Sequence, residues 1–144
     1  MTEEFKFVCV PVDLVEVLWD KIEPHVQRVV DASAGEITNE TTKNKALQGR
    51  GMFILVTMGA EVVAVNMVEV ETYESGLKAL LIPVVGGHEA FLWGPAFLEF
   101  AEVIAASSGC SEMRGFSTRE SWKRVLKNYG WAESHFVIKK TVGA

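Results

Sequence analysis

The chain has 144 residues, of which 49% are hydrophobic, 23% charged and 10% aromatic, and 14 Lys plus Arg against 19 Asp plus Glu give a formal net charge of −5. That length and apolar content suit one globular domain with one sizeable core and exclude collagen-like, mucin-like and low-complexity chains. An acidic balance without a block of Lys or Arg argues against nucleic acid as a partner, because phosphate binding relies on clustered cations.

The first strand is expected over residues 5–10 and is ended by Pro11. Asp13 and Glu16 follow in the D-x-x-E spacing of a capped helix start. Leu14, Leu18, Ile22 and Val26 recur at helical spacing beside Val15, Trp19, Val29 and Val30, and Pro24 is expected to divide this run into two helical pieces. Residues 33–38 read as a loop. Residues 39–47 form a short polar helix closed by Gly49, where a left-handed backbone is easiest.

From Met52 the pattern becomes β. Residues 52–58 are a near-continuous apolar run, Gly59-Ala60 is a tight connection, and residues 61–73 are rich in valine, which together make a hairpin. Glu74-Ser75-Gly76 turns the chain into a third apolar strand, residues 77–85, stopped by Gly86-Gly87. The three strands are expected to be antiparallel.

Phe91, Leu92, Phe97, Phe100, Ala101, Ile104 and Ala105 then follow helical spacing up to a stop at Gly109, and Pro95 places the regular start at Trp93 or Gly94. A short strand over residues 112–116 comes next, to be splayed from the third meander strand toward one end. Ser117 and Glu120 form an S-x-x-E box opening a helix that buries Trp122, Val125 and Leu126 and ends before Gly130. Residues 131–142 read as a closing strand. The expected architecture is an α/β fold with a mixed, mostly antiparallel central sheet flanked by helices on both faces, one domain over residues 1–144.

Cys9 and Cys110 have no CxxC partner, so two buried reduced thiols are expected rather than a zinc site or a disulfide framework. His25, His88 and His135 are too scattered for a metal site. Glu3 and Glu4 ahead of a short apolar run are the wrong charge order for a secretory signal, and no apolar stretch approaches the ~18–20 residues that span a bilayer, so the expectation is a cytoplasmic protein with no membrane partner. There is no G-x-S-x-G elbow, P-loop or nucleotide G-x-G-x-x-G.

The element order resembles that of the GNAT superfamily of acyl-CoA-dependent N-acyltransferases. The run Phe97-Leu98-Glu99-Phe100-Ala101-Glu102 up to Gly109-Cys110 is similar to the family's central helix and the Gly-Cys before its fifth strand. Trp122-Lys123-Arg124-Val125-Leu126-Lys127-Asn128-Tyr129-Gly130-Trp131 resembles the following helix with its closing Gly-aromatic step, and the pattern from Arg114 to Trp131 is similar to small GNAT-like proteins of tailed bacteriophages. The resemblance implies an N-acetyltransferase using acetyl-CoA, with a small-molecule or protein amine as acceptor, in the host cytoplasm or the virion if phage-encoded. The alternatives it leaves open are a non-catalytic GNAT-fold protein that binds a host or virion protein, and a small-molecule sensor that binds CoA or a related acid without turnover. A homo-oligomer is compatible with each.

In that family a Q/R-x-x-G-x-G/A loop between the fourth strand and the central helix grips pyrophosphate with backbone N–H groups. Here the loop spans residues 86–94. Counting back from Gly109 places the motif positions on Gly87, Ala90 and Leu92 with Gly94 as the third glycine; fitting Gly94 and Ala96 instead puts Phe91 where the basic residue belongs. Neither register keeps the motif, and Glu89 adds a negative charge. The resemblance nominates Val85, Gly86, Gly87, His88 and Gly94 for the cofactor, with Arg119 and Lys123 near its 3′-phosphate. The family's general-acid tyrosine position is Leu126, and Tyr129 lies on another helical face at about 100° per residue. Glu69 and Glu71, on one face of the long central strand with Tyr73 continuing it, are the candidate catalytic residues; the competing reading is a solvated strand face.

Overall fold

The computed structural model describes residues 4–33, 35–87, 90–115, 124, 126–135 and 138–143. Its elements are β1 (Phe5–Cys9), a 3-10 turn (Val12–Leu14), α1 (Val15–Ala32), α2 (Asn39–Leu47), β2 (Met52–Met58), β3 (Glu61–Thr72), β4 (Lys78–Gly87), α3 (Ala90–Ser107) and β5 (Glu112–Gly115). The sheet has five strands in the order β1-β2-β3-β4-β5. Its first three pairings are antiparallel, and β4 with β5 is parallel.

Side-chain alternation along the strands divides the interior into two layers. On one face Phe53, Leu55, Val65, Met67 and Val84 meet Val15, Ile22 and Val26 of α1 and Ala46 of α2. On the other, Ile54, Val56, Ala64, Val68, Leu80 and Ile82 meet Trp93, Phe97, Leu98, Ala101 and Ala105 of α3. Trp93, Phe97, Ala101 and Ala105 recur every four residues, which is the stripe a helix must bury. The Trp93 and Phe97 rings stack edge to face at 6.1 Å. Helices thus flank both faces, and where one core was expected the sheet separates two.

The helix stops read at Gly49 and Gly109 are present. Gly49 and Gly109 have φ of 72° and 76°. Each follows a Schellman pattern: Arg50 N–H donates to the Lys45 carbonyl at 2.9 Å, and Cys110 N–H to the Ala105 carbonyl at 2.9 Å. Lys78 Nζ donates to the Ser108 carbonyl at 2.7 Å, fastening the start of β4 to the end of α3. Placing a cation there suits the negative end of the helix dipole.

Several expectations are corrected. Pro24 lies inside α1 without dividing it. It sits on the exposed side, as does Asp20, whose carbonyl loses its intrahelical donor and can turn to water. The expected Asp13–Glu16 cap does not form, since Leu14 precedes α1 with no side-chain bond, and Glu16 instead pairs with Lys43. The capping box belongs to α2, between Thr38 and Thr41. α3 begins at Ala90, ahead of the Trp93 or Gly94 expected, so Pro95 falls in its interior. Cys9 is exposed because it ends the edge strand β1, and Cys110 is partly buried.

The closing strand over residues 131–142 is also absent from the described part of that segment: residues 131–135 and 138–141 have no regular structure. Valine and isoleucine suit a pleated, half-buried surface, and without such a partner their propensity forms nothing. Ser117, Glu120 and Trp122 lie outside the described residues; Arg124, Leu126 and Lys127 are helical. Among the described residues no helix is long and apolar enough to cross a membrane.

Candidate functional site

The chemistry-bearing residues gather where β3, β4 and β5 lie side by side. β4 pairs with β5 at four positions, from Ala79 with Glu112 to Ile82 with Gly115. Beyond Ile82, β4 continues to Gly87 with no β5 partner among the described residues. On its other edge Met67 pairs with Val84 and Glu69 with Leu81, so Val68 faces two residues, Ile82 and Pro83. This is a β-bulge, and Pro83, with no N–H to give, belongs in one. A bulge re-aims the strand, and here it falls where the β4–β5 pairing ends. Sequence reasoning passed over Pro83; a proline inside an apolar strand was the available signal.

The register carries Glu69 across to Leu81 and Arg114, and Glu71 across to Ala79 and Glu112. Directly opposed residues share a face, so Glu69, Glu71, Glu112 and Arg114 project from the side of the sheet that α1 and α2 occupy. Arg114 donates to the Tyr73 hydroxyl at 3.2 Å, lies 4.6 Å from the Tyr73 ring centre and pairs with Glu112 at 2.9 Å. The bond to Glu112 raises the Arg114 pKa further, which fixes it as a cation. Glu69 pairs with Lys45 of α2 at 3.4 Å, and its side chain is mostly shielded, whereas Glu71 is exposed. Glu69 and Glu71 also border a cleft of about 410 Å³ with Arg50, Gly51, Val68 and Leu80. Glu69 and Glu71 thus share a face with Arg114 and Glu112, and Arg114 ties Tyr73 to that face. The signal for Arg114 was its place on the short strand beside β4.

The nominated cofactor residues divide. Val85 packs toward the α3 layer. A Cβ on Gly86 would stand 2.7 Å from the His25 carbonyl oxygen and 2.6 Å from Val29 Cγ2, so this glycine admits α1 close to β4. Gly87 ends β4 opposite Ala64. Gly94 is buried in α3, and helix geometry commits its N–H to the Ala90 carbonyl. The donors with no partner inside the helix at that end are the first-turn N–H groups of Ala90, Phe91 and Leu92, at the positive end of an 18-residue helix. His88, Arg119 and Lys123, like Glu89, lie outside the described residues.

This arrangement fits a phosphate-bearing cofactor with an extended arm: a β4 edge with no partner among the described residues precedes the donors of a helix N-terminus. No family model matches the sequence. No curated protein matches it either. Solved structures do. An aminoglycoside N-acetyltransferase in complex with CoA superimposes with a TM-score of 0.71 at 10% identity, over 100% of this chain and 98% of that one. A GCN5-related N-acetyltransferase from Ralstonia eutropha gives 0.71 at 16% identity, over 97% and 100%. Glucosamine-6-phosphate N-acetyltransferase from Arabidopsis thaliana gives 0.66 at 15% identity, over 97% and 99%. The fold of this chain is that of the GNAT acetyltransferases.

Proposed function

We propose that this protein is an acyl-CoA-dependent N-acetyltransferase acting as one domain over residues 1–144. The observation that carries the reading is the bulge at Ile82-Pro83, where β4 parts from β5 and runs on toward the start of α3. Acetyl-CoA, when bound, supplies an activated acyl thioester. The first-turn N–H groups of α3 would hold the cofactor's phosphates, and the backbone of Pro83 to Gly87 would hold its arm.

The acceptor is an amine approaching the face of Glu69 and Tyr73. Glu69 is the residue for receiving the amine proton, since it stands at the last β3–β4 pair before the bulge. Glu71, two pairs further away and exposed, draws the cationic form of the amine in. Arg114 positions the Tyr73 hydroxyl and leaves its proton free to donate. Kinship with the phage GNAT-like proteins rests on the run from Arg114 to Trp131 alone.

Calorimetric titration of the intact chain with acetyl-CoA tests the cofactor step. Saturable binding with a dissociation constant between about 1 μM and 1 mM, lost in Gly87→Asp with the circular dichroism unchanged, is the expected result. A folded protein giving no heat at millimolar acetyl-CoA overturns the reading. Release of CoA in the presence of a panel of primary amines then tests transfer itself.

A further inference from the structure

The group seated on Glu69 is itself an amine. Lys45 Nζ donates to Glu69 Oε1 at 3.4 Å, with the lysine side chain 32% and the glutamate side chain 16% exposed. Water reaches this amine only in part, whereas Lys139 and Lys140 are exposed. The root of the side chain is fixed as well. Lys45 lies in the last turn of α2, and its carbonyl accepts the N–H groups of Arg50 at 2.9 Å and Gly51 at 3.2 Å. Among the described residues no other lysine pairs with a carboxylate of β3: Lys43 is held by Glu16, and Lys78 by the Ser108 carbonyl.

What adjoins this pair gives it chemistry. Leu81 lies opposite Glu69, and the next residue of β4, Ile82, is where the bulge falls and the pairing with β5 ends. Neighbouring strands stand about 4.8 Å apart, so the Glu69 backbone is one strand spacing from the strand that opens. An external amine coming to Glu69 has to displace Lys45, because both cations seek the same carboxylate. An amine already held beside a base has the advantage of an intramolecular reactant.

We propose that Lys45 is the first acceptor of this protein, acetylated at Nζ within its own chain. The inference rests on the acetyltransferase reading and extends it. Glu69 takes one proton from the Lys45 ammonium, and the freed nitrogen lone pair attacks the thioester carbonyl carbon. The C–N bond forms as the C–S bond breaks, and the departing thiolate takes up a second proton from the nitrogen to leave as the thiol. Glu69 then returns its proton to water. The product amide carries no charge, so the ion pair is lost and Glu69 is left open to an external amine.

The test incubates the intact chain with acetyl-CoA carrying a deuterated acetyl group, maps the label by peptide mass spectrometry, and measures binding of acetyl-CoA to the same preparation by calorimetry. Label should enter Lys45 at a rate per chain that does not change with protein concentration. It should do so ahead of Lys139 and Lys140, which simple chemical acetylation would reach first. That preference should vanish in urea, where only solvent access and ordinary lysine chemistry remain. Glu69→Gln keeps the shape and cannot take the proton, so it should slow labelling of Lys45 by at least about a hundredfold with unchanged circular dichroism. Saturable binding without label on Lys45 overturns this inference and leaves the acetyltransferase reading standing, whereas absence of binding overturns both. Label spread evenly over the exposed lysines, a rate that rises with protein concentration, or an unchanged rate in a folded Glu69→Gln chain overturns it too.

Discussion

Asn66 stands on β3 between Ile54 and Val85, fully buried, and neither its Oδ1 nor its Nδ2 has a hydrogen-bond partner among the described residues. A buried polar group left unpaired costs about 1–3 kcal/mol. Leucine has nearly the same size and shape and no polar atom, so Asn66→Leu should stabilise the fold by about 1–3 kcal/mol, read as a rise in the urea midpoint at constant slope. A lower midpoint would mean that the amide makes bonds in solution that compensate its burial. Gly86 presents the opposite case. The atoms a methyl group would meet there include a main-chain carbonyl, which cannot rotate aside. Gly86→Ala should therefore cost about 1–3 kcal/mol as overpacking. Calorimetric melting checks it, and an unchanged melting temperature would place α1 further from β4 than described.

Elements repeat this contrast between local preference and surroundings. Pro24 keeps its place in α1 because the helix buries Ile22 and Val26 on either side of it, and that burial outweighs one missing bond on the wet face. Pro24→Ala restores the donor to the Asp20 carbonyl and should stabilise by up to about 3 kcal/mol, measurable by chemical denaturation; no gain would mean that α1 bends at this point to hold its contacts. The legible parts of the fold were those fixed by near neighbours in the sequence. The bounds of β2 and α2 followed from an apolar run and a glycine stop, and the pairing of the meander from short turns between valine-rich strands. Glu69, Glu71 and Tyr73 could be placed on one face because a strand alternates with period two. Arg114 reaches Tyr73, 41 residues away, only because β5 pairs in parallel with β4, and no local spacing reports that. Position 83 is similar: its proline was visible, but a bulge is defined by the opposing strand. The strand expected over residues 131–142 failed for the same reason, since its propensity was plain and its pairing partner was not.

At the scale of the molecule, two apolar layers share one sheet, and strands such as β2 contribute alternate residues to each. Losing either layer exposes the sheet and weakens the other, so unfolding should be a single transition. Trp19 lies in the α1 layer and Trp93 in the α3 layer, which provides a probe for each. Fluorescence-monitored urea curves for variants retaining only Trp19 or only Trp93 should have coincident midpoints once corrected for each variant's own stability by circular dichroism. Separate midpoints would show that one layer melts alone.

The bond from Lys78 to Ser108 has a mechanical consequence. β4 has ten residues, about 33 Å of strand, and α3 eighteen, about 27 Å of helix. The two run in opposite directions, joined through residues 88 and 89 at one end and by the lysine at the other. The helix is thus a strut of fixed length held at both ends. Adding a single residue to its middle would advance the distal half by about 1.5 Å and turn it by about 100°, swinging Ala101 and Ala105 off the sheet or pulling Ser108 from the lysine. Insertions that the exposed turn at Glu74–Gly76 can absorb should be rejected throughout α3, and the span from the bulge to the helix start becomes a ruler whose length neither end can change alone.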